Sequence, residues 1–137
     1  MEIEFRTELP SVEAYNQLRE SAGMGPKNPQ RVEIALKNSL YVITAYAKNR
    51  LIGHARVVGD GAVCYMVNDV MVAHDYQGQG IGKQLMTYID AWFEVNTVED
   101  SYVELVAVAP AQHLYAQFKF EASAQRVGMR RQQTCIK

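Results

Sequence analysis

Residues Gln77-Gly78-Gln79-Gly80-Ile81-Gly82-Lys83 carry the densest chemical signal in this chain. Three glycines at alternate positions remove every Cβ from one side of a turn, so several backbone N–H groups can close on one anion. The stretch follows an apolar run, Val67 to Val72, and opens into an amphipathic segment, Ile81 to Phe93. A helix that starts there leaves its first N–H groups unpaired and carries partial positive charge at that end. Strand, glycine turn and helix N-terminus together predict a phosphate cradle.

Two common phosphate motifs do not fit. The P-loop places Ser or Thr after its lysine, whereas Lys83 is followed by Gln84 and the Gly-x-x-x-x-Gly spacing is absent. A dinucleotide fold puts its glycines after the first strand of a β-α-β unit with Gly-x-Gly-x-x-Gly spacing, and here several strand-like segments come first.

The elements that must position this turn can be read from periodicity. Ile3–Arg6 alternates like a short strand. Pro10 to Arg19 reads as a helix, Ser21–Pro26 as a loop, and Asn28-Pro29 as the cap of a second helix ending near Asn38. Leu40–Ala47, Leu51–Val58 and Ala62–Val72 are strand-like and joined by short turns, so they form an antiparallel meander. Ile81, Leu85, Tyr88, Ile89, Trp92 and Phe93 recur at helical spacing and predict an apolar helix face packed on a sheet. Tyr102–Ala107 is the next strand, and a helical crossover makes it parallel to 62–72. Pro110 opens a short helix, Ala111–Gln117. Phe120–Val127 and Arg131–Ile136 read as final strands. The order predicts a mixed α/β (α+β) domain over residues 1–137, with a mostly antiparallel central sheet and helices on both faces.

Composition bounds the partners. The chain has 137 residues, 48% hydrophobic, with a formal net charge of -1. That is enough for one domain with a core, and it gives no global pull toward nucleic acid or an anionic membrane. The apolar runs are too short to span a bilayer. The N-terminus lacks the basic and apolar regions of a secretory signal. Cys64 and Cys135 form no metal-ligand pattern and read as small apolar residues of a reduced, cytoplasmic protein. No metal is expected, and exposed strand edges leave a homodimer open.

Gln77-x-x-Gly80-x-Gly82 after a strand, at this point in this element order, resembles the signature of the GNAT superfamily of N-acetyltransferases. Val70-Met71-Val72 followed by His74-Asp75-Tyr76 resembles the family's strand and its approach to the cradle. Leu114-Tyr115-Ala116-Gln117-Phe118-Lys119-Phe120 resembles its terminal helix-to-strand segment. Arg56 to Gly61 and the strand of Asp69 look like a subgroup of small bacterial members.

The resemblance implies acetyl-CoA as donor and a primary amine, on a small molecule or a peptide, as acceptor. It implies that Gln77, Gly78, Gln79, Gly80, Ile81, Gly82 and Lys83 hold the pyrophosphate. It also implies a splay between strand 62–72 and the following parallel strand. Val70, Met71 and Val72 then pair with the pantetheine arm, and one N–H near Val70 or Val72 acts as an oxyanion donor. Tyr115 stands where the family often keeps the proton donor for the departing thiolate. Asp69 and Glu104 flank the expected cleft. Asp69 is the first choice of base; otherwise it is a carboxylate bonded to backbone or to an arginine, and a water chain with no dedicated base is open. His54 and His74 read as structural or surface residues, and nothing in the spacing requires His113. The acceptor wall maps to about residues 20–33; Lys27 and Arg31 within it, and Arg19 just before it, would either meet an acidic acceptor or be solvated.

Three departures from the family pattern stand out. Lys119 replaces a glycine, Ala116 and Gln117 replace charged residues, and Val108-Ala109 replaces an asparagine. They leave open a sensor or interaction module that binds acyl-CoA without efficient turnover.

Overall fold

The computed structural model describes residues 2–108 and 111–133. The chain divides into two compact units, one ending at Leu105 and the other starting at Val106.

In the first unit a five-stranded sheet runs in the order β1-β2-β3-β4-β5. Its strands are β1 (Glu4–Arg6), β2 (Tyr41–Ala47), β3 (Arg50–Gly59), β4 (Cys64–Val72) and β5 (Tyr102–Glu104). Neighbours β1 to β4 are antiparallel, and β4–β5 is the parallel pair. The β2–β3 turn shows why the meander was readable. Ala47 pairs with Arg50 across Lys48 and Asn49, whose φ values are 50° and 64°. Two positive φ values make the two-residue turn that matches strand twist.

Helix α1 (Val12–Ser21) starts where the Ser11 side chain accepts the Ala14 N–H. Helix α2 (Pro29–Lys37) starts at Asn28, whose side chain accepts from Gln30 and Arg31, with Pro29 in the first turn. Both caps satisfy N–H groups that a helix cannot pair internally. Helix α3 (Ile81–Asn96) buries Ile81, Leu85, Met86, Ile89 and Phe93; Tyr88, expected on the same face, is instead 43% exposed at its margin, with its ring 5.1 Å from Phe5. Trp92 is half-buried and stacks on Tyr41 with ring centroids 5.7 Å apart.

Adjacent residues of β3 show that α1 and α3 lie on opposite faces. A Cβ on Gly53 would point at Ile81 and Leu85 of α3. The ring of His54, the next residue, meets Tyr15 of α1 edge-on at 5.3 Å. Side chains alternate along a strand, so the two helices sandwich the sheet.

The second unit holds helix α4 (Gln112–Ala116). Pro110, predicted to open that helix, lies outside the described residues. Two predicted strands are corrected here. Residues 120–127 form no strand; Ser123 Oγ instead accepts the N–H groups of Gln125 and Arg126. Such local bonds compete with a ladder. Arg131 to Gln133 is also outside any strand, and the rest of that predicted segment, with Cys135, lies outside the described residues. The strand expected over Tyr102–Ala107 stops at Glu104.

Candidate functional site

The glycine turn is built as its spacing predicts. A single 3-10 turn, His74–Tyr76, leads from β4 to Gln77. Gly78 and Gly80 have φ of 78° and 82°, a region that side chains rarely adopt. A Cβ at either position would meet nothing within 4 Å, so the space before the turn is open. Gly80 caps α3, and the first helical bond runs from Gln84 N–H to its carbonyl at 3.1 Å. The N–H groups of Ile81, Gly82 and Lys83 precede that bond and point out of the helix end. Gln79 and Lys83 are exposed.

Two tethers fix the approach to this turn. Ser21 Oγ accepts the His74 N–H at 2.9 Å. Arg50 holds the Asp75 carboxylate at 2.9 and 3.2 Å. Gln77 reaches back, and its Nε2 donates to the Val72 carbonyl at 2.9 Å.

Among the described residues of the first unit, β5 leaves the far half of this β4 edge unpaired. Pairing with β5 covers only Cys64, Tyr65 and Met66. Ala73 N–H donates to Ile52 on the β3 side. Backbone direction alternates along a strand, which turns the N–H groups of Val72 and Val70 to the other edge. Met71 between them faces β3, and its side chain is buried at 2% exposure.

Asp69 sits at the kink of this strand. The register runs from Met71 opposite His54 to Asn68 opposite Arg56, so β4 carries one extra residue. Asp69 has φ 53°, a bulge residue in the left-handed region. Its carboxylate turns toward α1. Arg19 Nη1 reaches Oδ1 at 3.0 Å, Arg56 Nε reaches Oδ2 at 3.0 Å, and the Tyr15 hydroxyl donates to Oδ2. Burial opposes its ionised form, but the Tyr15 hydroxyl and Arg56 outweigh that and hold the carboxyl below its ordinary value. Burial and Asp69 together raise the Tyr15 phenol. His54 donates Nδ1–H to the Asp69 carbonyl at 2.7 Å. Burial pushes the His54 imidazole down to about 4.

The family model described as the acetyltransferase (GNAT) domain matches residues 38–122, the stretch that contains β4 and the glycine turn. The chain belongs to the GNAT family of acetyltransferases. A Staphylococcus aureus protein named a probable acetyltransferase shares 37% identity and a TM-score of 0.91, over 96% of this chain and 100% of that one. An uncharacterized ycf52-like N-acetyltransferase of Prochlorococcus marinus is 34% identical over 67% of this chain and 51% of that protein. The GNAT chain thus spans about half the length of the curated relatives it matches. A Clostridium acetobutylicum acetyltransferase solved with acetyl-CoA has the same fold, with a TM-score of 0.72 and 14% identity.

Other predicted site residues of this GNAT domain fall as follows. Tyr115 lies in helix α4, next to its last residue, half-buried, and burial raises its phenol. Lys119 takes φ 73°. Phe120 N–H closes onto the Tyr115 carbonyl at 3.3 Å, and their rings lie 6.5 Å apart. This is a left-handed helix exit of the kind glycine usually makes, made here by a lysine. Glu104 pairs opposite Met66 on β5. His74 and His113 are exposed. Ala109 lies outside the described residues.

Two corrections apply to single residues. Cys64, expected as a small apolar residue, is exposed at the start of β4 because the strand's burial begins at Tyr65. Arg19, expected either to meet an acceptor or to be solvated, is 5% exposed and fully engaged. Sequence reasoning missed Tyr15, Arg19 and Arg56 as partners of Asp69. It also missed Gly53, where an added Cβ would lie 3.1 to 3.3 Å from Ala45, Leu85 and Ile81. Gly53 lets the start of α3 sit close on the sheet. A glycine inside an apolar strand was the available signal.

Proposed function

We propose that this GNAT domain transfers an acetyl group from acetyl-CoA to a primary amine by direct attack in a ternary complex. The observation that carries the reading is the Gln77–Val72 bond, which ties the Gly78–Gly80 turn to the end of β4 that β5 leaves unpaired. Outward N–H groups at Ile81, Gly82 and Lys83 suit a pyrophosphate, which a fixed ring of donors holds well. Val70 and Val72 N–H groups suit a strand-like pantetheine arm and the thioester carbonyl. Donors aimed at a developing oxyanion contribute about 3 kcal/mol.

The proton inventory favours a simple scheme. The amine must attack neutral and the thiolate must gain a proton. Tyr115 is the proposed acid, because it stands where the family often keeps its proton donor and its phenol is protonated near neutral pH. Asp69, saturated by three donors and held below its usual range, is a weak acceptor; we assign it to the bulge and the amine proton to water.

Thermal shift with acetyl-CoA, CoA and ATP tests the donor, because a ligand of the native state raises apparent stability. A shift with both CoA compounds supports the reading. A shift with ATP alone overturns it.

The engagement of Asp69 also favours a second reading, an acyl-CoA-binding sensor or interaction module with weak turnover. Thiol release from acetyl-CoA across an amine library separates the two.

A further inference from the structure

The loop between α1 and α2 is permissive in backbone yet pinned by side chains. Gly23 and Gly25 have φ of 82° and 74°, and Met24 between them is exposed. Asn16 and Lys27 bond reciprocally at 2.9 and 3.0 Å at the far end of the loop. Arg19 holds the near end. Its Nε donates to the Gly25 carbonyl at 2.7 Å and its Nη2 to the Met24 carbonyl at 3.3 Å. The third arm of the same guanidinium reaches Asp69 at 3.0 Å. One planar fork therefore touches the loop and the bulge of β4 together. A lysine has no such fork and cannot span both.

Asp69 is anchored from several other directions. Arg56 ties it to β3 and, through Ser39 at 3.1 Å, to the end of α2. His54 holds its carbonyl. The bulge sets where Val70 and Val72 direct their N–H groups, because one extra residue re-aims everything beyond it.

We propose that Arg19 is a positioning residue for acyl transfer: by bridging Met24 and Gly25 to Asp69 it couples the α1–α2 loop to the β4 bulge. A displaced loop then misdirects the Val70 and Val72 N–H groups. The functional consequence rests on the acetyltransferase reading; the coupling itself does not.

The test is reciprocal, on the full ¹⁵N-labelled chain with CoA as probe. Asp69→Asn should speed exchange of the Met24 and Lys27 amides by about tenfold or more, although both lie in the loop. Arg19→Lys should shift the His54 Nδ1–H resonance and abolish the CoA-induced protection of Val70 and Val72. CoA affinity should fall by roughly tenfold, the loss of the two β4 N–H bonds, and not be abolished, since Arg19 touches no residue of the glycine turn. Each variant perturbing only its own side of the pair overturns the proposal. If CoA protects no β4 amide in the wild type, the functional reading fails while the ligand-free comparison still decides the coupling. Should Arg19→Lys not fold, the near-isosteric Asp69→Asn carries the test alone, and unchanged Met24 exchange refutes it.

Discussion

His54 donates Nδ1–H to the carbonyl of Asp69 at 2.7 Å, while its opposite nitrogen, Nε2, is buried without a hydrogen-bond partner among the described residues. The carbonyl can only accept, so Nδ1 carries a proton, and burial keeps the imidazole neutral near pH 7. Tyr15, Asp69, Arg56 and Arg19 surround it.

This pair predicts acid sensitivity. The His54 pKa falls from 6.5 unfolded to about 4 folded, chiefly through burial. Between those values the unfolded chain binds a proton that the fold refuses, so stability falls as pH drops through that window. The loss should approach roughly 3 kcal/mol. Asp69 acts lower: its folded pKa lies below 3.8, so its contribution is intact above that pH and is lost as pH falls through the folded value. Urea unfolding at pH 7, 6 and 5 should show the decline, and His54→Gln should flatten it. An equal slope in that variant would assign the decline to other groups.

Gly80→Val should abolish the CoA thermal shift. The residue would be strained at φ 82° and would fill space that is now open. The strain should cost about 1–2 kcal/mol. Retained CoA affinity, by calorimetry, would refute the cradle.

Tyr115→Phe should lower kcat by about a hundredfold or more while leaving the Kd for acetyl-CoA unchanged, the pattern of a lost general acid. Equal turnover in the variant would remove Tyr115 from that role.

Lys119→Gly should stabilise the protein by about 1 kcal/mol, because a left-handed residue carries a Cβ penalty that glycine escapes. The φ of 73° at Lys119 motivates this. A lower Tm in the glycine variant would count against the observed helix exit.

Much of the fold was written in local pattern. The Asn28-Pro29 cap, the Lys48-Asn49 turn and the apolar stripe from Ile81 to Phe93 each follow from near neighbours, and each is present. The glycine turn was legible for the same reason, since glycine spacing and a helix start are properties of seven consecutive residues. The strands expected after Phe120 were not, because a strand exists only with a partner, and Ser123 offered the backbone a local alternative.

The sequence by itself determined the glycine turn, the meander and the strand-to-helix order, because these depend on contacts within a few residues. Only tertiary structure decided what Asp69 is bonded to. Its type and strand position allowed a base, but Arg19 and Tyr15 come from α1 and Arg56 from β3, with Arg19 fifty residues away. Burial and charge at one carboxylate are sums over distant chain segments, and no local pattern records them.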